Sequence, residues 1–351
     1  MKEMTYIPIL SICIPTYNRI ERLLKTINTI LQSDDNRFVI TVSDNCSADG
    51  TYSKLEEIKD DRLVVHTLDK PVKAFQNYNN VIQIAKAQYV LHVLDKESFN
   101  VDYLSGFIDY LESKSPNFGL INYVSKDCEG ETSIYKRGVE SVLYGGGGGD
   151  THPSGFFYRK SLYMTEYNRI KVFINGGNLW VLDLVSAGLG TQYDSIVYNH
   201  PLISYNKSGI LEGKSKSPYT NKTIYWYGGM RVDTFKLFLK VVLGKDNNDT
   251  ESILYAMLKK HTRIITFNQK FFSADKMRCE HYGLKTRFVG FFELLYWSYA
   301  LIVAFKKECE GKIVLSNRKL IGVFLYGGYC SFIASYVHFK QFLKKLYDNV
   351  K

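Results

Sequence analysis

The chain has 351 residues, of which 45% are hydrophobic and 23% are charged. This composition is typical of a globular protein with one large or two ordinary domains, and it excludes a disordered chain. The formal charge of +10 is unevenly distributed, because residues 1–250 are neutral and residues 251–351 carry the whole basic excess. The asymmetry indicates a polyanionic partner for the C-terminal part, either an anionic membrane or nucleic acid, unless it is simply a solvated basic helical face.

Cysteine usage and the N-terminal residues bear on the cellular compartment. The six cysteines include no C-x-x-C pair and no metal-site spacing with histidine. The apolar run at residues 7–14 leads directly into Pro15, without the apolar core and cleavage site of a signal peptide. We therefore expect free thiols, no signal peptide and a reducing cytoplasmic location.

Strand and helix patterns alternate through the first hundred residues. Short apolar runs with β-rich composition predict four strands, at residues 9–14, 38–43, 62–67 and 89–94. Helical spacing predicts three helices between them, at residues 19–31, 52–59 and 75–87. Strands separated by single helices form right-handed βαβ units, so the fold class is predicted to be α/β with a mainly parallel sheet.

The middle of the chain is less regular. Five consecutive glycines at 145–149 are incompatible with a helix or a central strand and predict a mobile loop. A strand at 156–158 and a helix at 178–187 follow. The polar stretch at 206–221 is typical of an exposed loop or lid.

Helical patterns dominate from about residue 225, which suggests a first domain at 1–225 and a second at 226–351. The segment at residues 288–305 contains one acid, Glu293, and no basic residue. Its 18 residues are a borderline length for a membrane span. Residues 321–339 are similarly apolar. We expect buried or interfacial helices in both places.

Polar residues cluster where the predicted strands end. In open parallel sheets, ligands bind beyond the carboxyl ends of the strands, so these residues are expected to lie together. Asn77 lies on the helix before the fourth strand. The remaining groups follow the first, second and fourth strands and are Pro15-Thr16-Tyr17-Asn18-Arg19, Asp44-Asn45 and Asp95-Lys96-Glu97.

These motifs, in this order, resemble those of the family 2 glycosyltransferases over roughly residues 7–200. The matching segments are Ile-Pro-Thr-Tyr-Asn-Arg, Val-Ser-Asp-Asn-Cys-Ser-Ala-Asp-Gly-Thr, the Asn77 helix and Asp-Lys-Glu. The resemblance implies a GT-A fold, in which a twisted, mainly parallel sheet is flanked by helices and binds a nucleotide diphosphate sugar. A C-terminal, mostly helical region would follow it.

The resemblance also implies roles for individual residues. Asp44 would contact the base, and Asp95 with Glu97 would bind Mn²⁺ or Mg²⁺, which neutralises the leaving diphosphate. Lys96 departs from the usual aspartate-rich motif, so it either reaches the diphosphate or weakens metal binding by repulsion. The nucleotide-binding set carried over from the family is Pro15, Thr16, Tyr17, Arg19, Asp44, Asn77 and Asp95.

The catalytic base is harder to assign. An inverting transfer needs a carboxylate to accept the proton of the attacking hydroxyl. The family places an acid pair in the region where this chain has Asn-Gly-Gly-Asn at 175–178. Asp183 and Asp150 are the two candidates, unless Asp183 is a surface helix acid and Asp150 caps a turn. If neither acts as the base, the stereochemistry of the transfer is open. His152, beside Asp150, is either structural, a further base or a residue that binds the acceptor.

The predicted function is transfer of one sugar from a nucleotide diphosphate sugar, most simply a UDP-sugar, to a glycan acceptor. The acceptor would be lipid-linked, in capsule, O-antigen or teichoic-acid-type synthesis. Basic residues around the apolar segment at 288–305 predict peripheral attachment to the anionic inner face of the plasma membrane. A plain helical subdomain or a dimer interface would account for the same pattern.

Two alternative functions are those of a nucleotidyltransferase and of a non-catalytic nucleotide-sugar-binding subunit. A nucleotidyltransferase would need a glycine-rich phosphate loop after the first strand, which Pro-Thr-Tyr-Asn does not match. A non-catalytic nucleotide-sugar-binding subunit is compatible with the altered Asp-Lys-Glu motif. Nucleic acid is disfavoured as a partner because the basic residues are not part of a recognisable binding module.

Overall fold

The computed structural model describes residues 7–122, 130–149, 151–174, 180–204, 224–245 and 247–350, with the backbone alone at 339 and 341–350. The chain divides into two compact units. The first comprises Met1–Gly147 and Thr151–Lys207, and the second comprises Gly148–Asp150 and Ser208–Lys351. The domain boundary suggested between residues 225 and 226 stays a prediction.

The first unit is built on an eight-stranded sheet in the order β3-β2-β1-β4-β8-β6-β9-β7. Its strands in chain order are β1 Leu10–Thr16, β2 Phe38–Asp44, β3 Leu63–Thr67, β4 Tyr89–His92, β6 Phe118–Ile121, β7 Ser133–Tyr135, β8 Phe156–Arg159 and β9 Ser195–Tyr198. The short strands β5 Ser98–Phe99 and β10 Ile203–Ser204 form a separate antiparallel pair.

The first four strands are parallel, and β1 lies between β2 and β4. Every residue of β1 and β2 is buried, as expected for strands covered by helices on both faces. In the register of the two strands, Thr16 at the end of β1 is paired with Asp44 at the end of β2. The predicted α/β fold with a mostly parallel sheet is confirmed, and its polar strand ends lie at one edge.

One feature of the sheet was not predicted. Strand β8 is antiparallel to both of its neighbours, β4 and β6. The sequence predicts a strand at 156–158, but its partners lie tens of residues away along the chain. Such pairing depends on tertiary contacts and leaves no local sequence pattern.

Among the described residues of this unit, seven α-helices accompany the sheet. Helix α1 turns Leu23, Ile27 and Ile30 into the core, the spacing expected of one helical face. The helices are α1 Ile20–Ile30, α2 Thr51–Glu56, α3 Ala74–Ile84, α4 Leu104–Lys114, α5 Val139–Tyr144, α6 Lys160–Ile174 and α7 Val181–Gly190.

The glycine segment at 145–149 is buried, in contrast to the predicted mobile loop. A Cβ atom on Gly147 would lie 2.6 Å from Cα of Ala187 and 2.7 Å from the carbonyl oxygen of Val142. At Gly145 it would lie 2.2 Å from Oγ of Ser195. Glycine is therefore required here by close packing, and the run of glycines does not indicate an exposed loop.

The second unit is helical. Its helices are α8 Gly228–Leu243, α9 Thr250–Ala274, α10 Lys276–His281, α11 Phe291–Glu308 and α12 Asn317–Val350. Within the described residues, one segment is long and apolar enough to cross a membrane by length and composition. It is Asn317–His338, with a mean hydropathy of 1.6 and 33% of its apolar window buried.

Several sequence-based expectations fall outside the described residues. These are Asp150, the Asn-Gly-Gly-Asn segment at 175–178 and most of the polar stretch at 206–221. The five cysteines that the structure describes are free thiols, as expected.

Candidate active site

Asp95 is the centre of the polar cluster at the edge of the sheet. Thr16 donates its hydroxyl hydrogen to Oδ2 of Asp95 at 2.9 Å, and Nη1 of Arg19 donates to Oδ1 at 3.1 Å. The Asp95 side chain is 2% exposed, whereas that of Arg19 is 52% exposed. The carboxylate is thus held from inside by a hydroxyl and from outside by a guanidinium group that solvent reaches.

The Asp95-Lys96-Glu97 turn is fixed by helix α1. The buried hydroxyl of Thr26 donates to the carbonyl oxygen of Glu97 at 3.1 Å and approaches that of Asp95 at 3.4 Å. The amide of Glu97 donates to the carbonyl oxygen of Leu94 at 3.2 Å and closes the turn. The backbone that carries Asp95 and Glu97 is therefore held in place by these hydrogen bonds.

Asp44 is held in a similar way at the end of β2. It is fully buried, and its Oδ1 accepts hydrogen bonds from both the amide and the hydroxyl of Ser47. The hydroxyl of Thr67, from β3, lies 3.4 Å from Oδ2. Sequence reasoning did not identify Ser47, although a serine three residues after an aspartate is a common turn pattern.

The loops after β1 and β2 are bound to each other. The amide of Asn18 donates to Oγ of Ser47 at 2.8 Å, and the amide of Ala48 donates to Oδ1 of Asn18 at 2.8 Å. Asp49 accepts the amide hydrogen of Ile20 at 3.0 Å, at the start of α1. Asn18 has φ of 52°, a left-handed conformation that asparagine tolerates. The two motifs therefore form one bound pair of loops.

The other residues of the predicted nucleotide-binding set differ in accessibility. Pro15 is buried and is paired with Ser43 in the sheet register, whereas Tyr17 is 48% exposed. Asn77 is buried, accepts the hydroxyl hydrogen of Ser43 at 2.6 Å and donates to its carbonyl oxygen at 2.8 Å. The structure thus bonds Asn77 to the residue before Asp44, which indicates that it supports β2.

Glu97 and His152 approach each other behind the acidic turn. Nε2 of His152 lies 3.7 Å from Oε1 of Glu97, and the amide of Ser154 donates to Nδ1 of His152 at 3.3 Å. Burial, with a smaller contribution from the positive charge of Lys96, lowers the pKa of His152 to about 3. The imidazole is therefore neutral, and because Nδ1 accepts from Ser154, its hydrogen is assigned to Nε2, the nitrogen nearer Glu97.

Lys96 lies between the two acids in sequence and is only partly accessible. Burial lowers its pKa, and the nearby charge of Arg19 acts in the same direction, whereas Glu97 and Asp95 oppose the change. The ammonium group adds positive charge to the turn.

Asp183 lies in the first turn of α7, where the helix dipole stabilises negative charge. It is 3% exposed, and the amide of Thr151 donates to its Oδ1 at 3.3 Å. The residue is therefore not a surface helix acid. Thr151, which donates to Asp183, is followed directly by His152, which approaches Glu97. These two consecutive residues therefore link Asp183 to the acidic turn.

The carboxylate chemistry at this edge suits a divalent cation, but the protein supplies few ligands. The described residues contain no group of three or more His, Cys, Asp or Glu side chains that could hold a metal ion. Magnesium sites commonly use one or two carboxylates together with substrate phosphate oxygens. For Asp95 and Glu97 to hold such an ion, Arg19 would have to release Oδ1 of Asp95, and the Glu97 side chain, which is 0% exposed, would have to become accessible.

Comparison with known protein families gives a match within the first unit. The family model described as Glycosyl transferase family 2 matches residues 11–170, which include Thr16, Asp44 and the acidic turn. The chain carries a family 2 glycosyltransferase domain. The family resemblance and the enzyme class predicted from the sequence are thereby confirmed: the protein is a glycosyltransferase.

Solved structures agree with this fold. The structure of S. aureus TarS 1–349 is similar, with a TM-score of 0.60, 16% identity, and coverage of 95% of this chain and 92% of that chain. The same TarS fragment in complex with UDP-GlcNAc is equally similar. A longer TarS structure gives a TM-score of 0.54 at 14% identity, and the alignment covers 86% of this chain and 54% of that one. A search among curated proteins finds no match.

At these identities the likeness shows the fold. The glycosyltransferase has a GT-A architecture, with the predicted site residues Thr16, Asp44 and Asp95 at or just beyond the carboxyl ends of β1, β2 and β4. The family and the fold together support a nucleotide sugar as the donor class.

Proposed function

We propose that this glycosyltransferase moves a sugar from a UDP-sugar to a glycan acceptor. The observation that carries the proposal is the cluster of Thr16, Arg19 and Asp95, which lies beside Asp44 at the carboxyl edge of the sheet. The complex of the similar TarS fold with UDP-GlcNAc supports a uridine nucleotide as the donor.

The loops after β1 and β2 would form the nucleotide pocket. The half-exposed guanidinium of Arg19 can turn from Asp95 to the diphosphate, whose oxygens it can bind in a bidentate manner. The exposed ring of Tyr17 can stack on the base, and Asp44 would accept a hydrogen bond from it. Pro15 and Asn77 would shape the pocket from behind.

Asp95 and Glu97 would hold Mn²⁺ or Mg²⁺ when the donor diphosphate is bound. The ion would supply charge neutralisation for the leaving nucleoside diphosphate. Asp95 would also contact the ribose. In the described conformation Oδ1 of Asp95 accepts a hydrogen bond from Arg19, which would have to be released for the ion to bind there.

Either Asp183 or Asp150 would act as the base. In an inverting displacement the acceptor oxygen forms a bond to the anomeric carbon while the bond from that carbon to the phosphate oxygen breaks. The acceptor proton passes to the carboxylate, and the nucleoside diphosphate leaves. Asp183 and Asp150 are the candidates for this role.

The acceptor is proposed to be a lipid-linked glycan of a capsule, O-antigen or teichoic-acid type. The basic excess of residues 251–351 supports a cytoplasmic enzyme at the inner face of the plasma membrane. A non-catalytic nucleotide-sugar-binding subunit is the second candidate, because Lys96 interrupts the acidic turn.

Calorimetric titration with UDP, CDP, GDP and dTDP, with and without Mn²⁺, tests the proposal. We expect Mn²⁺-dependent binding of UDP that is lost in Asp95→Ala and retained in Asp109→Ala, a change at an exposed acid of the same unit. Failure of all four nucleotides to bind would refute the assignment. Binding of a nucleotide sugar without turnover, in the presence of candidate acceptors, would identify the non-catalytic subunit.

A further inference from the structure

Two neighbouring helices of the second unit carry stripes of exposed apolar residues, which we call the aromatic face. Phe292 is 82% exposed on α11, and Leu325 is 67% exposed on α12. Their companions are at least 45% exposed and are Tyr296, Tyr299 and Val303 on α11 and Ile321, Tyr329, Phe332 and Tyr336 on α12.

The spacing of these residues places each stripe on one side of its helix. Within a stripe the residues are separated by three or four positions, so they follow one helical face. The opposite sides are buried: Leu294 and Leu301 on α11, and Val323 and Ala334 on α12. Each helix therefore packs into the unit on one side and presents apolar groups on the other.

Contacts between the helices join the two stripes. The rings of Tyr299 and Phe324 meet with their centroids 6.5 Å apart. On the buried side, a Cβ atom on Gly327 would lie 2.7 Å from Cβ of Ser298 in α11 and 3.2 Å from Cγ2 of Thr262 in α9. Close packing around Gly327 thus holds α12 against both helices, so that the stripes form one surface.

Cations border this surface. Lys306 and Lys307 continue the α11 stripe at its C-terminal end, and Arg318 and Lys340 lie at the two ends of the α12 stripe; all four are exposed. The acids of α11 are engaged elsewhere, since Glu293 accepts from Arg287 at 2.6 Å and Glu308 lies 3.9 Å from Lys240. The border of the aromatic face is therefore positive.

We propose that the aromatic face lies in the surface of an anionic bilayer, with α11 and α12 parallel to the membrane plane. Phenylalanine and tyrosine suit the boundary between headgroups and acyl chains, and bordering lysine and arginine bind anionic headgroups. This inference rests on the peripheral membrane location in the proposed function, and it specifies the surface and its orientation.

Two other arrangements are less compatible with the structure. A spanning α12 would have to leave α9 and α11, although Gly327 holds it in close contact with both. A second copy of the chain on this face would bring the cationic borders of both copies together, and like charges disfavour such an interface. A lipid surface avoids both costs.

Vesicle sedimentation of the full chain tests the proposal. We expect binding to vesicles containing phosphatidylglycerol and much weaker binding to phosphatidylcholine alone. Phe292→Ser with Phe332→Ser should lower partitioning by about tenfold or more, since two large apolar side chains are lost from the interface. The matched control, Ile134→Ser with Val172→Ser, replaces two similarly exposed residues of the first unit and should change nothing.

Three outcomes would overturn binding through the aromatic face. The first is no binding to anionic vesicles, and the second is an equal effect of the two double variants. The third is a wild-type dimer, seen by light scattering, that the Phe292 and Phe332 changes dissociate. Nucleotide binding is measured without vesicles, so vesicle binding and donor binding can fail independently.

Alkaline carbonate extraction tests the orientation. A protein that lies in the membrane surface should be released into the supernatant. Retention in the vesicle pellet would indicate a spanning helix and would overturn the in-plane arrangement.

Discussion

The hydroxyl of Thr16 donates a 2.9 Å hydrogen bond to Oδ2 of Asp95, although the two residues are 79 positions apart. The bond joins the end of β1 to the turn after β4, and both residues are buried. It fixes the position of the carboxylate before any ligand arrives. The site is therefore preorganised on rigid strand ends.

Replacing Thr16 by valine should weaken both stability and donor binding. Valine has nearly the same shape but leaves Oδ2 of Asp95 buried without this donor, which costs about 1–3 kcal/mol. Urea unfolding measures the stability change, and titration with the nucleotide measures the affinity. Thr29→Val, on the exposed side of α1, is the matched control and should be nearly neutral. Equal stability of the two variants would contradict the role given to the bond.

Replacing Asp183 by asparagine should abolish most of the turnover without weakening donor binding. Asparagine keeps an acceptor for the amide of Thr151 but cannot take a proton from the acceptor hydroxyl. Loss of a general base lowers kcat by about 10²- to 10⁴-fold. Steady-state kinetics and nucleotide titration together separate the two effects, with Asp109→Asn as the control. Unchanged turnover would assign the role to Asp150, to be tested in the same way.

Buried histidines should make the protein less stable in mild acid. Burial lowers the pKa of His92 from 6.5 to about 4, against the opposing effect of its hydrogen bond to the carbonyl oxygen of Pro153. Between these values the unfolded chain binds a proton that the folded protein excludes. The free energy of unfolding should therefore fall as the pH drops from 6.5 towards 4, by up to about 3 kcal/mol from this residue.

Urea unfolding across this pH window checks the effect. In His92→Gln the free energy of unfolding should fall less steeply with decreasing pH, by the slope that corresponds to the uptake of about one proton. The glutamine amide does not titrate and can still donate to the carbonyl oxygen of Pro153. His152, whose pKa is lowered to about 3, continues to contribute in that variant. His66→Gln, at an exposed position on β3, should keep the wild-type slope. An unchanged slope in His92→Gln would contradict the assignment.

Replacing Gly147 by alanine should destabilise the first unit. The added Cβ would meet backbone atoms of Ala187 and Val142, which cannot move without shifting α7 and α5. Overpacking of this kind costs about 1–3 kcal/mol. Thermal unfolding measures the loss, and Gly130→Ala, whose Cβ would meet no atom of the described residues within 4 Å, is the control. Equal stability of the two variants would show that the backbone around Gly147 can shift at little cost, which would contradict the requirement for glycine at this position.

The parallel half of the sheet and the grouping of polar strand ends could be predicted from the sequence. Apolar periodicity is a local signal, and the parallel connection brings Thr16, Asp44 and Asp95 to one edge by geometry. The family resemblance added the roles proposed for these residues, which no local pattern encodes. The boundaries of the predicted strands and helices mostly differ from those in the structure by one to three residues.

Features that depend on distant contacts could not be predicted. The approach of His152 to Glu97, the burial of Asp183 and the close packing of Gly147 all involve residues tens of positions apart. The prediction of a mobile loop at the glycine run was wrong for this reason. Glycine occurs both in flexible loops and where neighbouring atoms leave no room for a Cβ, and the sequence does not distinguish the two cases. The spacing of Asp44 and Ser47 was a usable local signal that went unnoticed.

Strand β8 has a consequence for the synthesis of the chain. Its residues pair with β4, and the amides of Gly155 and Lys160 donate to the carbonyl oxygens of His92 and Gln88. Until residues 156–159 leave the ribosome, the hydrogen-bonding edge of β4 stays open to other strands. Nascent chains that stall before this point should aggregate by edge pairing, whereas those released after it have that edge covered.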